Sequence, residues 1–330
     1  MFLQRYDSQD KMTQILFLLS QGETVSGEVM SQKVGVSRNA IWKQINNLRE
    51  LGYEILAETK SGYRLVSRPD RLYPMEFWPY RKTINFGNTI YWDYDIPSTN
   101  DKAQELARAG AEEGTIVLAE TQSQGRGRRG RAWQSAPSQG IYLSLILRPV
   151  HPLAEASPYT FLGAYAVLRL CRELGIPALV KWPNDIHVNG LKISGILTEL
   201  SATGQDIGHI VLGLGLNVNQ KEFPKDIPAT SLSLELKQPL SRVDVLARLL
   251  VYLEEGYRRL NQDSKWLIQV MRENSLLLGK EVVVTGGVEL EGTAEDIALD
   301  GALLIRTPEK LVKVWAGDVS VRPRELKKDK

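Results

Sequence analysis

Cysteine is almost absent: the 330 residues contain one, Cys171. That excludes a disulfide framework and disfavours a thiolate zinc cluster. Histidine is nearly as scarce, with only His151, His187 and His209, which argues against a histidine-built metal site. No stretch reads as a signal peptide or as an apolar run of membrane-spanning length. The expected compartment is therefore the cytoplasm, with no membrane partner. Charge of one sign is lacking too. Lys+Arg number 41 against 39 Asp+Glu, a net +2, so no global field draws the chain to nucleic acid. Two nucleotide signatures are missing as well: there is no Walker A sequence, and Gly213-Leu214-Gly215 is a lone Gly-x-Gly without the helix-opening third glycine of a dinucleotide fingerprint.

What the chain does have is 43% apolar content over a length that suits two or three domains. Its most distinctive stretch is residues 125–133, Gly-Arg-Gly-Arg-Arg-Gly-Arg-Ala-Trp. Glycine lets backbone come close to a ligand, and arginine can fork two N–H bonds onto a phosphate or carboxylate. The pattern suits an ordered loop wrapped around an anion. It also suits a flexible basic loop or a disordered RNA-binding segment. Strand-like segments at 115–120 and 141–147 flank it, and a disordered tail should not be embedded in a core.

Residues 11–66 read as a compact helical unit. Met12, Ile15, Leu16 and Leu19 fall at helical spacing, with Gly22 as a stop. A short helix is expected at 27–33 and a longer one from an N-cap at Ser37 to about 51–52. In the longer helix Ile41, Ile45 and Leu48 form the buried stripe, while Arg38, Asn39, Trp42, Lys43 and Asn46 share the opposite face. Strands at 53–55 and 63–66 complete a winged helix-turn-helix. The exposed face would enter a major groove, with Lys60 and Arg64 of the wing on phosphate. The charge balance is thin: residues 1–67 carry eight Lys+Arg and seven Asp+Glu, a balance of +1. Doubling the contacts in a dimer would compensate, since phosphate contacts supply most of the affinity. A winged helix used only for protein contacts is the competing reading. Residues 68–83, with Pro69, Pro74 and Pro79, read as a linker.

From residue 84 the pattern changes to alternating strands and helices, expected to form a unit to about 270. Ser98-Thr99-Asn100 opens a helix running to about 109, where ordinary capping and ligand binding are both open. Cys171 falls on the apolar face of a long helix at 157–174 and reads as a core thiol. Lys181-Trp182-Pro183-Asn184-Asp185 leads into a hairpin whose turn is Asn189-Gly190. A two-residue turn pairs Val188 with Leu191 and His187 with Lys192, so one sheet face would present Asp185, His187 and Lys192. That group is either a surface ion pair or a metal–phosphate site with a charge-stabilising lysine. The glycines at 213 and 215 could admit a ligand or a neighbouring strand. Residues 221–230 read as a mobile loop, and 243–260 as a closing helix. Residues 271–330 carry short strands at 281–284, 288–295, 302–305 and 311–315, read as a small β-barrel, with a charged tail from 322.

Four motifs in this order, Gly-Arg-Gly-Arg-Arg-Gly-Arg-x-Trp, Lys-Trp-Pro-Asn-Asp, Lys-Ile-Ser-Gly-Ile-Leu and Gly-Leu-Gly-Leu-Asn-Val-Asn, closely resemble those of the biotin–protein ligases. The amino-terminal winged helix resembles the class that doubles as biotin operon repressor. The resemblance implies a multidomain α+β chain: a winged helix-turn-helix at 1–67, a mixed-sheet α/β ligase domain of the biotin/lipoate ligase type at 84–270, and an SH3-like barrel at 271–330. It implies biotin contacts at Ser98, Thr99, Asn100 and Gln122, with Arg126, Gly127 and Arg128 closing over biotin and its adenylate. It puts Lys192 on both the biotin carboxylate and the α-phosphate, and Lys181 and Asp185 on ATP and Mg²⁺. Arg129, Arg131, Trp133 and Asn217 fall on the adenylate side. Lys192, Lys181 and Arg128 become the catalytic candidates. The implied partners are the biotin carboxyl carrier protein domain of acetyl-CoA carboxylase or a similar carboxylase, operator DNA and, with biotinyl-5′-AMP as corepressor, a second copy of the chain. A catalytically dead biotin sensor and a lipoate–protein ligase are the alternatives. The intact Arg126, Arg128, Lys181, Asp185 and Lys192 count against the first, the full arginine loop and the winged helix against the second.

Overall fold

The computed structural model describes residues 4–7, 10–58, 61–150, 158–204, 206–287, 289–316 and 319–323. Strand β1, Gln4–Asp7, comes first. The winged helix follows as α1 (Lys11–Leu19), α2 (Gly27–Val34), α3 (Arg38–Glu50), β2 (Glu54–Glu58) and β3 (Gly62–Ser67). Its helices start where side chains can satisfy free amides. Asp10 accepts from the Met12 N–H at 2.7 Å, Ser26 from Val29 at 3.1 Å and Ser37 from Ala40 at 3.2 Å. Gly35 stops α2 in the left-handed region, at φ 70°. Ile41, Ile45 and Leu48 are fully buried as the spacing predicts, and Trp42 is 59% exposed.

The segment expected as a linker is part of the core. It contains α4 (Pro74–Phe77), and Leu72, Tyr73, Met75, Phe77 and Trp78 are buried. These apolar side chains join the winged-helix core to that of the central sheet in one continuous cluster. Proline broke the helix but did not keep the segment in solvent.

The central unit comprises β4 (Thr89–Ile96), α5 (Thr99–Arg108), β5 (Ile116–Gln122), β6 (Gly140–Leu147), α6 (Pro158–Glu173), β7 (Ala178–Lys181), β8 (Asp185–Val188), β9 (Leu191–Thr203), β10 (Asp206–Asn217), α7 (Leu232–Leu236), α8 (Arg242–Leu260) and α9 (Lys265–Glu273). One mixed sheet runs β1-β4-β5-β6-β10-β9-β8-β7, with β4 and β5 parallel and the other pairs antiparallel. The first residues of the chain thus edge the central sheet, a placement no motif announced. Alternation assigns the two faces: Ile116 and Leu118 of β5 enter the main core, while Val117 and Ala119 pack under Ala103 and Ala107 of α5. Cys171 is buried in α6, and burial pushes its thiol up to about 12, so it is a core residue.

The last unit is β11 (Glu281–Gly286), β12 (Leu290–Ile297), β13 (Leu303–Arg306), β14 (Leu311–Val314) and β15 (Val319–Pro323). The order is β14-β13-β12-β11-β15, antiparallel throughout. Among the described residues no ladder joins β14 to β15, so the unit is a five-stranded sheet, and closure into an SH3-like barrel is not seen. Arg322, expected in a charged tail, lies in β15; residues 324–330 fall outside the described residues.

A buried ion pair fastens the linker to the central sheet. Arg242 donates to Glu120 at 2.9 Å, to Asp70 at 3.0 Å and to the Gly140 carbonyl at 3.1 Å; Glu120 also accepts the Leu72 N–H at 2.5 Å. Side-chain exposure is 1% for Arg242 and 0% for Glu120. Removing one partner strands a buried charge. Glu120→Ala is expected to lower stability by about 3 kcal/mol, read as a lower urea midpoint, whereas Asp244→Ala on exposed α8 surface should move it little. Equal small shifts for both variants would contradict a structural role for the pair.

Candidate active site

One cavity of about 470 Å³ lies over the α5 face of the sheet and gathers most of the residues singled out from sequence. Its polar end is the start of α5. Ser98 caps the helix by accepting the Asp101 N–H at 3.3 Å, and Ser98, Thr99 and Asn100 are all buried. Thr99 donates to Gln122 Oε1 from its N–H at 2.8 Å and from its hydroxyl at 3.1 Å. The Ser144 hydroxyl of β6 lies within hydrogen-bond distance of both Asn100 Oδ1, at 2.6 Å, and Thr99 Oγ1, at 2.8 Å, sharing its one proton between them, while Asn100 donates to Glu199 of β9 at 2.7 Å. A helix start is thereby locked onto three different strands.

Glycines at 213, 215 and 195 make room for these groups. A Cβ on Gly213 would stand 2.1 Å from Asn100 Oδ1, and one on Gly215 would stand 2.4 Å from the Trp133 ring. Gly195 pairs directly with Gly215 across the β9–β10 ladder and also faces the Trp133 ring, 2.9 Å from where its Cβ would be. The close approach inferred for 213 and 215 is real, but the groups that approach are the protein's own Asn100 and Trp133.

The arginine stretch forms an ordered hairpin. The Trp133 N–H donates to Gly125 O at 2.8 Å, the Gly127 N–H to Arg131 O at 2.7 Å, and Arg126 and Ala132 form a bridge. Its tip is a 3₁₀ turn at Arg128–Gly130, in which Arg129 takes the left-handed conformation at φ 59°. Arg126, Gly127, Arg128, Arg129, Arg131 and Trp133 all line the cavity. Arg128 donates to Asn184 at 3.3 Å. Arg126 is held differently: it forks onto both carboxylate oxygens of Asp101 and reaches Glu199 at 3.2 Å. Sequence reasoning missed Asp101 and Glu199, because neither stands in a motif that signals a partner for arginine.

The cationic wall comes from the hairpin read in the sequence. Val188 pairs with Leu191 and His187 with Lys192, and all three of Asp185, His187 and Lys192 line the cavity. Lys192 Nζ lies 2.8 Å from Asp185 and 5.3 Å from the centroid of the Trp133 ring. Lys181 pairs with Asp185 across β7 and β8. Burial lowers the Lys181 pKa below the usual lysine range, Lys192, Arg322 and Arg131 push the same way, and Asp185 opposes them. The stretch at 221–230, expected to be loose, is pinned to Lys192: Lys192 donates to Pro228 O and accepts from the Thr230 N–H, both at 2.9 Å. Asp226, Ile227 and Pro228 join the lining, as do Ser320 and Val321 of the last sheet.

Asn217 is the departure. It is buried but is not among the lining residues; its amide donates to Thr230 O at 3.0 Å and its oxygen accepts from Gln220 at 3.3 Å. It closes the base of the 221–230 loop. Among the described residues no cluster of three His, Cys, Asp or Glu side chains could hold a metal by itself. On the winged helix, Ser37, Arg38, Asn39, Trp42 and Lys43 are exposed and Asn46 partly so. Arg38 reaches Glu28 at 3.4 Å, and Arg64 of the wing is paired with Glu58 at 2.9 Å. Lys60 lies outside the described residues.

A mixed sheet carrying a polar helix start at one end of a cavity and clustered cations at the other suits a small acid held beside a nucleotide, as in a ligase. Family models agree: residues 92–217 match the biotin/lipoate A/B protein ligase family, 11–64 an HTH domain and 277–322 the biotin protein ligase C terminal domain. The bifunctional ligase/repressor BirA of Bacillus subtilis is 38% identical over 314 residues, spanning 93% of this chain and 96% of that protein. The Escherichia coli protein of the same name is 29% identical over 94% and 97% of the two chains. The biotin protein ligase of Aquifex aeolicus in complex with biotin and ATP superposes with a TM-score of 0.63 at 30% identity, over 71% of this chain and 99% of that one. The chain belongs to the biotin protein ligase family.

The glycine platform is testable without a ligand. Gly215→Ala forces the Trp133 indole off the sheet and is expected to cost about 2 kcal/mol. In a Trp133→Ala background the same change should cost much less, giving a clear coupling energy in a double-mutant cycle. Equal losses in the two backgrounds would mean that the indole is not what Gly215 accommodates.

Proposed function

We propose that the chain is a biotin–protein ligase that also represses transcription when its intermediate is bound. The observation that carries this is the joining, in one cavity, of Ser98, Thr99, Asn100 and Gln122 at one end with Arg128, Lys181 and Lys192 at the other. The polar end suits the uncharged ureido ring of biotin, whose carbonyl and N–H groups need fixed donors and acceptors. The cationic end suits a carboxylate and a triphosphate held side by side.

The reaction has two steps. The biotin carboxylate oxygen attacks the α-phosphorus of ATP, forming biotinyl-5′-adenylate and expelling pyrophosphate. An acceptor lysine amine then attacks the carbonyl carbon of the mixed anhydride, loses a proton and expels AMP. In the first step two anions approach each other, so cations placed beforehand lower the barrier. Lys192, fixed by Asp185 and by the backbone of the 221–230 loop, can reach both the carboxylate and the α-phosphate. Lys181 and the tip arginines Arg129 and Arg131 would hold the remaining phosphate charge, and Trp133 would offer the adenylate a ring face. The Arg128 hairpin would cover the intermediate. Cys171, buried in α6, takes no part, and no protein nucleophile is needed.

Mg²⁺ suits this donor set, since it is commonly held by one or two carboxylates together with substrate phosphates and water. Asp185 would hold it, and Asp226 lines the same cavity. The metal would offset phosphate charge.

Acceptance of biotin by a carboxyl carrier domain and binding of operator DNA through Ser37, Arg38, Asn39, Trp42, Lys43 and Asn46 complete the reading. An adenylate-bound homodimer would double the phosphate contacts of a winged helix with a balance of only +1. The test is one set of reactions with biotin, Mg·ATP, a carrier domain and the DNA upstream of the host's biotin-synthesis genes. Carrier labelling, together with a DNA shift that requires biotin and ATP, is the expected result. DNA shifted by biotin without labelling would make the chain a sensor. Lys192→Gln is expected to slow pyrophosphate release by roughly 10²–10³. Arg128→Gly should instead release adenylate and label bystander lysines. Unchanged adenylate retention in Arg128→Gly would remove the covering role.

A further inference from the structure

We infer that Arg126 is a tether and not an anion ligand, and that Asp101 and Glu199 are the positioning residues that hold the arginine hairpin through it. The inference rests on the ligation proposed above and revises one part of it, the place of Arg126 on biotin and its adenylate.

The geometry is specific. Both terminal nitrogens of Arg126 are taken by the two carboxylate oxygens of Asp101, in the first turn of α5, and one of them also reaches Glu199 Oε1 at 3.2 Å. Bidentate pairing of this kind fixes orientation as well as distance. The other oxygen of Glu199 accepts from Asn100 at 2.7 Å. Glu199 thus joins the root of the hairpin to a side chain at the polar end of the cavity. Two carboxylates already face one guanidinium. A biotin carboxylate or a phosphate drawn to Arg126 would have to displace one and sit beside the other, against like-charge repulsion.

The hairpin therefore stands on two feet. One is Trp133, lying on Gly195 and Gly215. The other is Arg126, clamped to α5 and β9. Between them Arg128, Arg129 and Arg131 occupy the tip, where left-handed Arg129 turns the chain. Clamping one foot to the first turn of α5 sets the hairpin tip in register with Thr99 and Asn100. A cover registered in this way would retain a reactive mixed anhydride until the acceptor lysine arrives.

The two roles of Arg126 predict opposite signs for one substitution. If Arg126 binds the anion, Asp101→Asn removes a competing carboxylate and the adenylate should be held more tightly. If Arg126 is a tether, Asp101→Asn frees the foot and the adenylate should escape faster. The experiment forms biotinyl-5′-adenylate on the full chain from biotin and Mg·ATP and follows its loss after a chase. Expected are losses about threefold to tenfold faster for Asp101→Asn and Glu199→Gln. Arg126→Met should match them, and Arg126→Met/Asp101→Asn should be no faster than Arg126→Met alone. The KM for the carrier domain should stay unchanged. Adenylate held as well or better by Asp101→Asn overturns the tether. Trypsin cleavage of the ligand-free hairpin at Arg128 to Arg131 gives a second readout, expected to be faster in Asp101→Asn than in the unaltered chain. If the unaltered chain forms no adenylate, the ligase proposal fails, and the trypsin comparison still decides the tether: equal cleavage rates would sink it.

Discussion

Crowding of like charge is the constraint around which the molecule is built. Arg126, Arg128, Arg129, Arg131, Lys181 and Lys192 line a single cavity, and the carboxylates among its lining residues are Asp185 and Asp226. Cations so placed repel one another and resist losing water. The lowered pKa of Lys181 records both effects, with burial first and neighbouring cations next. The carboxylates contain the repulsion locally: Asp185 beside Lys192, and Asp101 with Glu199 around Arg126. Repulsion that remains is relieved when anionic substrates arrive. A site that binds a carboxylate and a triphosphate together is therefore strained before it is filled.

Such strain needs a stiff support, and the eight-stranded sheet supplies one. Each site group hangs from a different strand: Gln122 from β5, Ser144 from β6, Asp185 from β8, Lys192 from β9 and Gly215 from β10. Hydrogen-bonded ladders fix the spacing between these strands, so the groups cannot relax apart. The last sheet is part of the same body. The Trp182 indole donates to Gly301 O at 3.0 Å, Leu276 donates to Val180 O at 2.8 Å, and Ser320 and Val321 reach the cavity. Trp182 stands next to Lys181, so a contact that looks like domain packing also fixes the approach to a catalytic candidate.

Local chemistry was legible in the sequence, and partnership across the fold was not. Caps at Ser37 and Ser98 and the Asn189-Gly190 turn follow from short-range rules, and the structure bears them out, with the expected Val188–Leu191 and His187–Lys192 pairs followed by a register shift between Ile186 and His187 that pairs Asp185 with Gly195. Most of the residues that surround the cavity were also legible, because they sit in compact motifs or at a helix start; Asp226, Ile227, Pro228, Ser320 and Val321 were not. Asp101, Glu199 and Ser144 were not, since each acts only through a residue more than twenty positions away. Asn217 misled for a related reason: it lies in a motif whose glycines do face the cavity, but its own amide is taken by Thr230, outside that motif. The linker misled because prolines mark breaks in helices without marking exposure. Apolar Leu72, Tyr73, Met75, Phe77 and Trp78 were the signal that it folds into the core.

That buried linker changes what the winged helix can do. A DNA-binding unit on a loose tether could find its groove by itself. Here Tyr53 of the winged helix lies 6.1 Å from Tyr73 of the linker, which lies 4.5 Å from Trp92 in β4, ring centroid to centroid. On its other side the linker is clamped through Leu72 and Asp70 to Glu120 and Arg242. Glu120 shares β5 with Gln122, so the strand that ends at the ligand cavity also anchors the segment that carries the recognition helix. A helix held this firmly presents its exposed face in one orientation relative to the catalytic sheet. Its spacing from a second copy would then be set by how two whole protomers meet. For a winged helix with a balance of only +1, such a spacing in the proposed homodimer would matter more than its own attraction to phosphate. In the homodimer proposed above, DNA binding would be controlled through the association of protomers, and an adenylate in the cavity would act on the winged helix by favouring or opposing that association.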